Sequence, residues 1–275
     1  MSATETTAPQ AAGTGPRKLE GRVALVTGGT RGIGAAIARE LAGQGAVVAA
    51  GFSSNREKAE QFLAEFEKDG AKVTIHQGNV GDFDDCQRTV HDVIEQHGRL
   101  DILVNNAGIT ADRPVMKMTP EDWHKVLRVN LSGAFYLSKP ALEHMIERGT
   151  GRIVNISSII GQMGNIGQAN YAASKSGLFG LTMTMAREAA QALKKADKLH
   201  DGGPSLTVNC VAPGFIETDM LATVPDKVLD KIKAQVPLGR LGRPEDISRM
   251  VEFLCEDEAS YITGQVFAVN GGMEM

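Results

Sequence analysis

A β-branched run, Val23-Ala24-Leu25-Val26-Thr27, passes directly into Gly28-Gly29-Thr30-Arg31-Gly32-Ile33-Gly34 and then into a stretch with helical patterning. This strand, glycine turn and helix constrain the chain more than any other feature. Glycines at 28, 32 and 34 let the backbone turn sharply and approach a ligand closely. The helix start behind them offers unpaired N–H groups and the positive end of a dipole, which together suit an anion. A glycine-rich turn alone is weak evidence. One that closes the first strand of a βαβ unit points to a dinucleotide.

The alternation continues to the end of the chain. Strands are expected over 23–27, 46–50, 72–76, 101–105, 152–156, 206–211 and 265–269. Helices are expected over 32–42, 56–68, 84–97 and 244–255, with a long one beginning at Tyr171. Another opens with a capping Thr119 and Pro120 and runs to about residue 146. Apolar-all-round strands separated by helices imply a parallel sheet covered on both faces, and right-handed crossovers make it doubly wound. The expected fold is α/β: a Rossmann-like sheet of seven strands in a single domain, 19–275. Residues 1–18 show no periodicity and read as a flexible N-terminal tail.

Composition narrows the function classes. With 42% hydrophobic and 23% charged residues, the 275-residue chain is neither disordered nor collagen-like. A net charge of −4 leaves no basic surplus for nucleic acid or an anionic membrane. The apolar runs fall short of the ~20 residues that a membrane span needs. The tail has no apolar segment of a secretory signal. Cys86, Cys210 and Cys255 are too scattered for a disulfide scaffold or a zinc site, and read as reduced thiols of a cytoplasmic protein. The six histidines form no HExxH pair, so no metal is assigned.

The second strand bears on which dinucleotide binds. An NAD site usually places an acid there, about 20 residues beyond the glycines, to hold the ribose hydroxyls. Residues 47–56 contain none. Arg31 in the loop, with Ser53, Ser54 and Arg56 after the strand, suits a 2′-phosphate and predicts NADP(H). Arg56 reads equally well as a solvated surface charge.

Tyr171-Ala-Ala-Ser-Lys175 places a phenol and an ammonium on one helical face. The fifth strand ends in Asn155-Ile156-Ser157-Ser158, and the fourth in Asn105-Asn106-Ala107-Gly108. The glycine spacing, G-x-x-x-G-x-G, departs from the common G-x-G-x-x-G. Together these segments resemble the short-chain dehydrogenase/reductase family over 19–275. That resemblance implies a catalytic tetrad of Asn130, Ser158, Tyr171 and Lys175. Ser158 is preferred to Ser157 because it stands thirteen residues before the tyrosine. It also implies cofactor contacts at Gly28, Thr30, Arg31, Gly32, Ile33, Gly34, Ser53, Asn79, Val80, Asn106, Ala107, Gly108, Tyr171, Lys175, Pro213, Gly214, Ile216 and Thr218. Asn79 stands where many members have Asp. In the implied roles, Tyr171 is the general acid, with its pKa lowered by the Lys175 ammonium. Ser158 hydrogen-bonds the carbonyl oxygen. Asn130 holds a water linking Lys175 to solvent, and residues 217–236 form a lid.

Finer resemblances point to the substrate. Residues 214–220, 236–242 and 261–273 look like 3-oxoacyl-carrier-protein reductases. Residues 50–55, 77–80, 106–110, 117–118 and 161–168 look like acetoacetyl-CoA reductases. Both reduce a 3-oxoacyl thioester to the (R)-3-hydroxyacyl thioester with NADPH. The implied substrate contacts are Ser158, Asn165, Ile166, Gln168 and Phe215. Gln168 reads either as a donor to the thioester carbonyl or as a cap of the Tyr171 helix, and Lys117 either as a carrier-phosphate contact or as a solvated charge. A homotetramer is implied as well. Residues 192–205 are longer than the family usually allows and feed the N-terminal edge of the sheet. They bear on assembly, and they replace a basic region that some carrier-protein enzymes use. The competing readings are a short-chain dehydrogenase of another secondary alcohol (a steroid or sugar) and a non-catalytic NADP-binding sensor.

Overall fold

The computed structural model describes residues 17–199, 205–218, 221 and 224–274. Its sheet contains β1 (Val23–Val26), β2 (Val47–Phe52), β3 (Val73–Gln77), β4 (Ile102–Asn105), β5 (Gly151–Ile156), β6 (Leu206–Pro213) and β7 (Val266–Val269). They lie in the order β3-β2-β1-β4-β5-β6-β7, and each neighbouring pair is parallel. The chain winds outward from β1 to β3, then returns to start β4 on the other side of β1. That reversal opens a crevice beyond the carboxyl ends of β1 and β4. The register Val26↔Val104 levels the two ends, so the glycine turn and the Asn-Asn-Ala-Gly turn emerge side by side.

Side chains alternate between the two faces of the sheet, and each face carries its own core. Ala24, Val26, Val48 and Val104 pack against Ile37 and Leu41 of α1 (Gly32–Gly43), Phe62 of α2 (Arg56–Asp69) and Val251 of α9 (Pro244–Cys255). Val23, Leu25, Leu103 and Ile153 pack against Val90 of α3 (Phe83–His97), Leu137 and Met145 of α5 (Gly133–Arg148) and Ala189 of α7 (Ala169–Lys195). The remaining helices are α4 (Pro120–Leu127), α6 (Ile160–Met163) and α8 (Asp226–Gln235).

All seven expected strands are present, with ends shifted by at most two residues. The long helix expected from Pro120 is corrected: α4 and α5 are separated by a π turn, Arg128–Ser132, that carries Asn130. Within α5, Pro140 lacks an N–H, and the carbonyl of Tyr136 accepts instead from Gln87 Nε2 at 3.0 Å. The helices α6 and α8 were not expected. The lid expectation falls partly on residues 219, 220, 222 and 223, which lie outside the described residues. So does most of the expected tail, residues 1–16. Its last residue, Lys18, is anchored rather than free, with Nζ 2.7 Å from both carboxylate oxygens of Glu256.

Of the 192–205 segment, residues 200–204 lie outside the described residues. The part before them docks under the sheet. Lys198 Nζ donates to the carbonyls of Ile146 and Glu147 in the last turn of α5, where a cation offsets the helix dipole. This is the end of the sheet where β5 begins, opposite the crevice. Cys86, Cys210 and Cys255 are free and buried. No helix among the described residues is long and apolar enough to cross a membrane.

Candidate active site

The glycine turn is built so that no side chain enters it. A Cβ on Gly34 would lie 2.1 Å from the carbonyl oxygen of Gly28 and 2.5 Å from Asn106 Nδ2. Gly28 and Gly32 have φ of 60° and 51°, the left-handed region that favours glycine. The helix behind them, α1, has no side-chain cap and no acid in its first turn. By contrast, α2, α3 and α4 are capped by Asn55, Asp82 and Thr119 and carry acids there. The first N–H groups of α1 are thus left for an anion. This cradle, with Thr30, Arg31 and Ile33 around it, fits a dinucleotide pyrophosphate.

Thr27, which sequence reasoning did not assign, locks the two turns together. Its Oγ1 accepts from the backbone N–H groups of Asn106 and Ala107, each at 3.0 Å. Asn106 Nδ2 donates to the carbonyls of Thr27 (2.9 Å) and Gly28 (3.3 Å). The Asn106 side chain therefore braces the glycine turn rather than reaching into the cleft. Beside this floor, Asn79 and Val80 follow β3. Asn79 Oδ1 accepts from Gly81 N–H at 3.0 Å, which leaves its amide NH₂ free to meet a base.

Four segments converge beyond the ends of β4 and β5. Asn130 Oδ1 accepts from Ile109 N–H at 2.8 Å, and its Nδ2 donates to Ile109 O at 3.0 Å and Ser174 Oγ at 3.1 Å. Ser174 Oγ donates in turn to the carbonyl of Tyr171 at 2.7 Å. Asn130 thus clamps the segment after the Asn-Asn-Ala-Gly turn to α7. Asn170, fully buried, braces the start of α7: its Nδ2 donates to the carbonyls of Ala111 and Asp122, and its Oδ1 accepts from Tyr171 N–H. Ser157 and Ser158 divide their work. Ser157 Oγ donates to the Lys175 carbonyl at 2.7 Å and anchors the helix, whereas Ser158 Oγ accepts from Ile160 N–H at 3.2 Å and stands near enough to the Tyr171 phenol to act on it.

Lys175 Nζ lies 5.7 Å from the centre of the Tyr171 ring and donates to Ile156 O at 2.8 Å. Gly108 gives it room: a Cβ there would sit 3.4 Å from Asn130 Oδ1 and 3.5 Å from Lys175 Nζ. Asn130, Ser158, Tyr171 and Lys175 are therefore brought together. The expected electrostatics need correction. Burial, not the ammonium, dominates the phenol and pushes Tyr171 up; the nearby Ser158 hydroxyl pulls it down, and the Asp112 carboxylate pushes it up further. Lys175 bonds the Ile156 carbonyl and lies over the Tyr171 ring. Burial pushes it down to about 8.

The turn after β6 closes the other side of the cleft. Gly214 N–H donates to Val269 O at 2.9 Å, and Gly242 N–H to Phe215 O at 2.9 Å. Ile216 pairs with Gly242 as an isolated bridge. Thr218 reaches over the glycine turn, its methyl 3.5 Å from where a Cβ on Gly32 would lie. Thr218 therefore stands over the same crevice as α1, whereas Gly214 and Ile216 line the cavity that Phe215 borders. The phosphate-selecting set is smaller than expected. Arg31 and Ser53 are exposed beside it, while Arg56 is held by Glu60 at 2.9 Å on α2, the surface-pair alternative.

The expected acyl contacts do not form one wall. Gln168 Nε2 donates to Asp112 Oδ2, and Asn165 Nδ2 donates to Gln168 Oε1, both at 2.9 Å. Gln168 holds the N-cap position of α7 through its backbone, with no side-chain capping bond. Ile166, 94% exposed, projects into solvent. Phe215 lines a cavity of about 220 Å³ with Val236, Leu238, Val269 and Gly271, and none of Asn165, Ile166 and Gln168 lines it.

The chain's relatives carry the same reading. Residues 22–229 match the family model for short chain dehydrogenases. The chain is 43% identical to the 3-oxoacyl-(acyl-carrier-protein) reductase of Thermotoga maritima, covering 93% of this chain and 99% of that protein. It is 45% identical to the enzyme of the same name from Aquifex aeolicus, over 93% and 98%. It is 44% identical to the acetoacetyl-CoA reductase of Shinella zoogloeoides, over 91% and 98%. A glycine cradle at the β1/β4 crevice, a phenol and an ammonium on one face of α7, and these full-length matches lead to one conclusion: the chain belongs to the short-chain dehydrogenase family, oxidoreductases that use a nicotinamide cofactor.

Proposed function

We propose that the chain reduces a 3-oxoacyl thioester to the (R)-3-hydroxyacyl thioester with NADPH. The observation that carries this is the grouping of Ser158, Tyr171 and Lys175 at the glycine-lined crevice, in a chain whose full-length relatives bear the names of 3-oxoacyl-thioester reductases. Gly28, Gly32 and Gly34 would hold the pyrophosphate with the N–H groups of α1, and Arg31 and Ser53 the 2′-phosphate. Asn79, Val80, Asn106, Ala107 and Gly108 would line the adenosine and nicotinamide side, under Pro213, Gly214, Ile216 and Thr218. Bound there, NADPH supplies the hydride.

The residues supply the proton and its placement. A phenol is protonated at neutral pH and burial raises Tyr171 further, so it carries the proton that a general acid in the reducing direction requires. Ser158 donates to the ketone oxygen as negative charge develops on it. Tyr171 then transfers its proton to that oxygen. Lys175, pushed down to about 8, gives up a proton readily near neutral pH and can restore the phenol. Asn130 holds α7 in place for this exchange. Gln168 keeps one amide hydrogen free of Asp112 for the thioester carbonyl. The reading includes a cytoplasmic homotetramer acting on acetoacetyl-CoA or a 3-oxoacyl carrier protein.

Parallel kinetics with acetoacetyl-CoA and an acetoacetyl carrier protein, each with NADPH and NADH, test it. NADPH-dependent turnover of at least one thioester is expected. Turnover of neither, with reduction of steroid or sugar ketones instead, would overturn the reading.

A further inference from the structure

Asn105 ends β4 with its side chain buried, 6% exposed, and the proposed chemistry makes no use of it. A chain of hydrogen bonds fixes which way its amide points. Thr182 Oγ1 donates its one proton to Leu178 O at 2.7 Å, so it must accept from Asn155 Nδ2 at 2.8 Å. Asn155 Oδ1 therefore faces Asn105 and accepts from Asn105 Nδ2 at 2.9 Å. The second Asn105 amide hydrogen reaches Ser138 Oγ at 3.0 Å. Turning the Asn105 amide round would set two carbonyl oxygens against each other. Its Oδ1 must point away, and among the described residues nothing donates to it.

A buried acceptor without a donor costs roughly 1–3 kcal/mol. Asn105 also lines a cavity of about 10 Å³, together with Thr27, Ala107, Val129, Asn130 and Gly133. That volume accommodates one water. Two of its walls are the glycine-turn lock, Thr27 and Ala107, and the π turn that carries Asn130.

We propose that the cavity is a built site for a single structural water, which donates a hydrogen to Asn105 Oδ1 and ties the end of β4 to the Asn130 turn. The water belongs to the scaffold that aims the clamp. It is required whatever ketone the enzyme reduces.

A crystal structure of the full chain at a resolution that shows ordered water tests this directly. Density within hydrogen-bond distance of Asn105 Oδ1 is expected; an empty cavity would overturn the proposal. Ala134, which also lines the cavity, allows a second test. The Ala134→Ser variant brings a hydroxyl that can replace the water and should keep Tm near that of the parent. Ala134→Cys brings similar bulk with a weak donor and should lower Tm by roughly 2–8 °C. Equal losses in the two variants would contradict the site.

Discussion

Tyr171 is an acid only while it keeps its proton, and burial and two neighbours set how firmly it does. Burial and Asp112 push the phenol up, and Ser158 pulls it down. The Asp112→Asn variant keeps an acceptor for Gln168 but removes the charge. Its Tyr171 should ionise at lower pH, so the alkaline limb of the kcat profile for reduction should move to lower pH. An unmoved limb would show that Asp112 does not act on the phenol. Arg31 makes no ion pair among the described residues and stands beside the α1 cradle. The Arg31→Ala variant should weaken NADPH binding roughly 10- to 100-fold, the loss of a charged hydrogen bond, while NADH binding changes little. Fluorescence titration with both cofactors measures it. Tyr171, Lys175 and Ser158 were legible in the sequence because helical spacing and a strand end place them. Thr27, Asp112, Asn170 and Ser174 were not. Thr27 meets Ala107 across 80 residues, and Gln168 meets Asp112 across 56, contacts that no local pattern encodes.

Among the elements, the seam between β3 and α3 carries a pH dependence of its own. His76 on β3 and His97 in the last turn of α3 share the Thr74 hydroxyl at 3.0 and 3.2 Å. Burial holds both imidazoles below their ordinary value of 6.5. Proximity to His97 lowers His76 further, and only Asp92 opposes this. The folded seam stays neutral while the unfolded chain takes up protons, so stability is full above pH 6.5. It declines as pH falls through 6.5 toward the depressed folded values. Melting temperatures taken from neutral to mildly acidic pH should fall, and the fall should be shallower in His76→Gln. A flat profile would contradict the assignment. The strands were readable because buried parallel strands are apolar on both faces. The break at Arg128–Ser132 was not, because a π turn inserts into a helix without interrupting its polar and apolar character. Helix α8 carries Val228, Leu229 and Ile232 on one face but buries no residue, so its short stripe stands out weakly from the charged residues around it.

At the scale of the molecule, the active centre exists only because the strand order reverses between β1 and β4. That reversal sets the glycine turn, the Asn-Asn-Ala-Gly turn, the end of β5 and the turn after β6 around one crevice. Alternating strand and helix signals made this architecture readable in advance, and with it the cofactor cradle. The acyl side was less readable. Ile166 and Phe215 lie near the motifs in sequence, yet one projects into solvent and the other lines a separate cavity. Their placement depends on how loops fold over the cleft. The central claim is that a half-buried phenol, grouped with Ser158 and Lys175, protonates a 3-oxoacyl ketone in this crevice. The most direct measurement compares NADPH oxidation by the parent enzyme and Tyr171→Phe with acetoacetyl-CoA, alongside NADPH binding by fluorescence. The parent should oxidise one NADPH per thioester reduced. The variant should bind NADPH equally well and turn over roughly 10²- to 10⁴-fold more slowly. Comparable turnover in the two proteins, or no NADPH oxidation by the parent, would contradict the account.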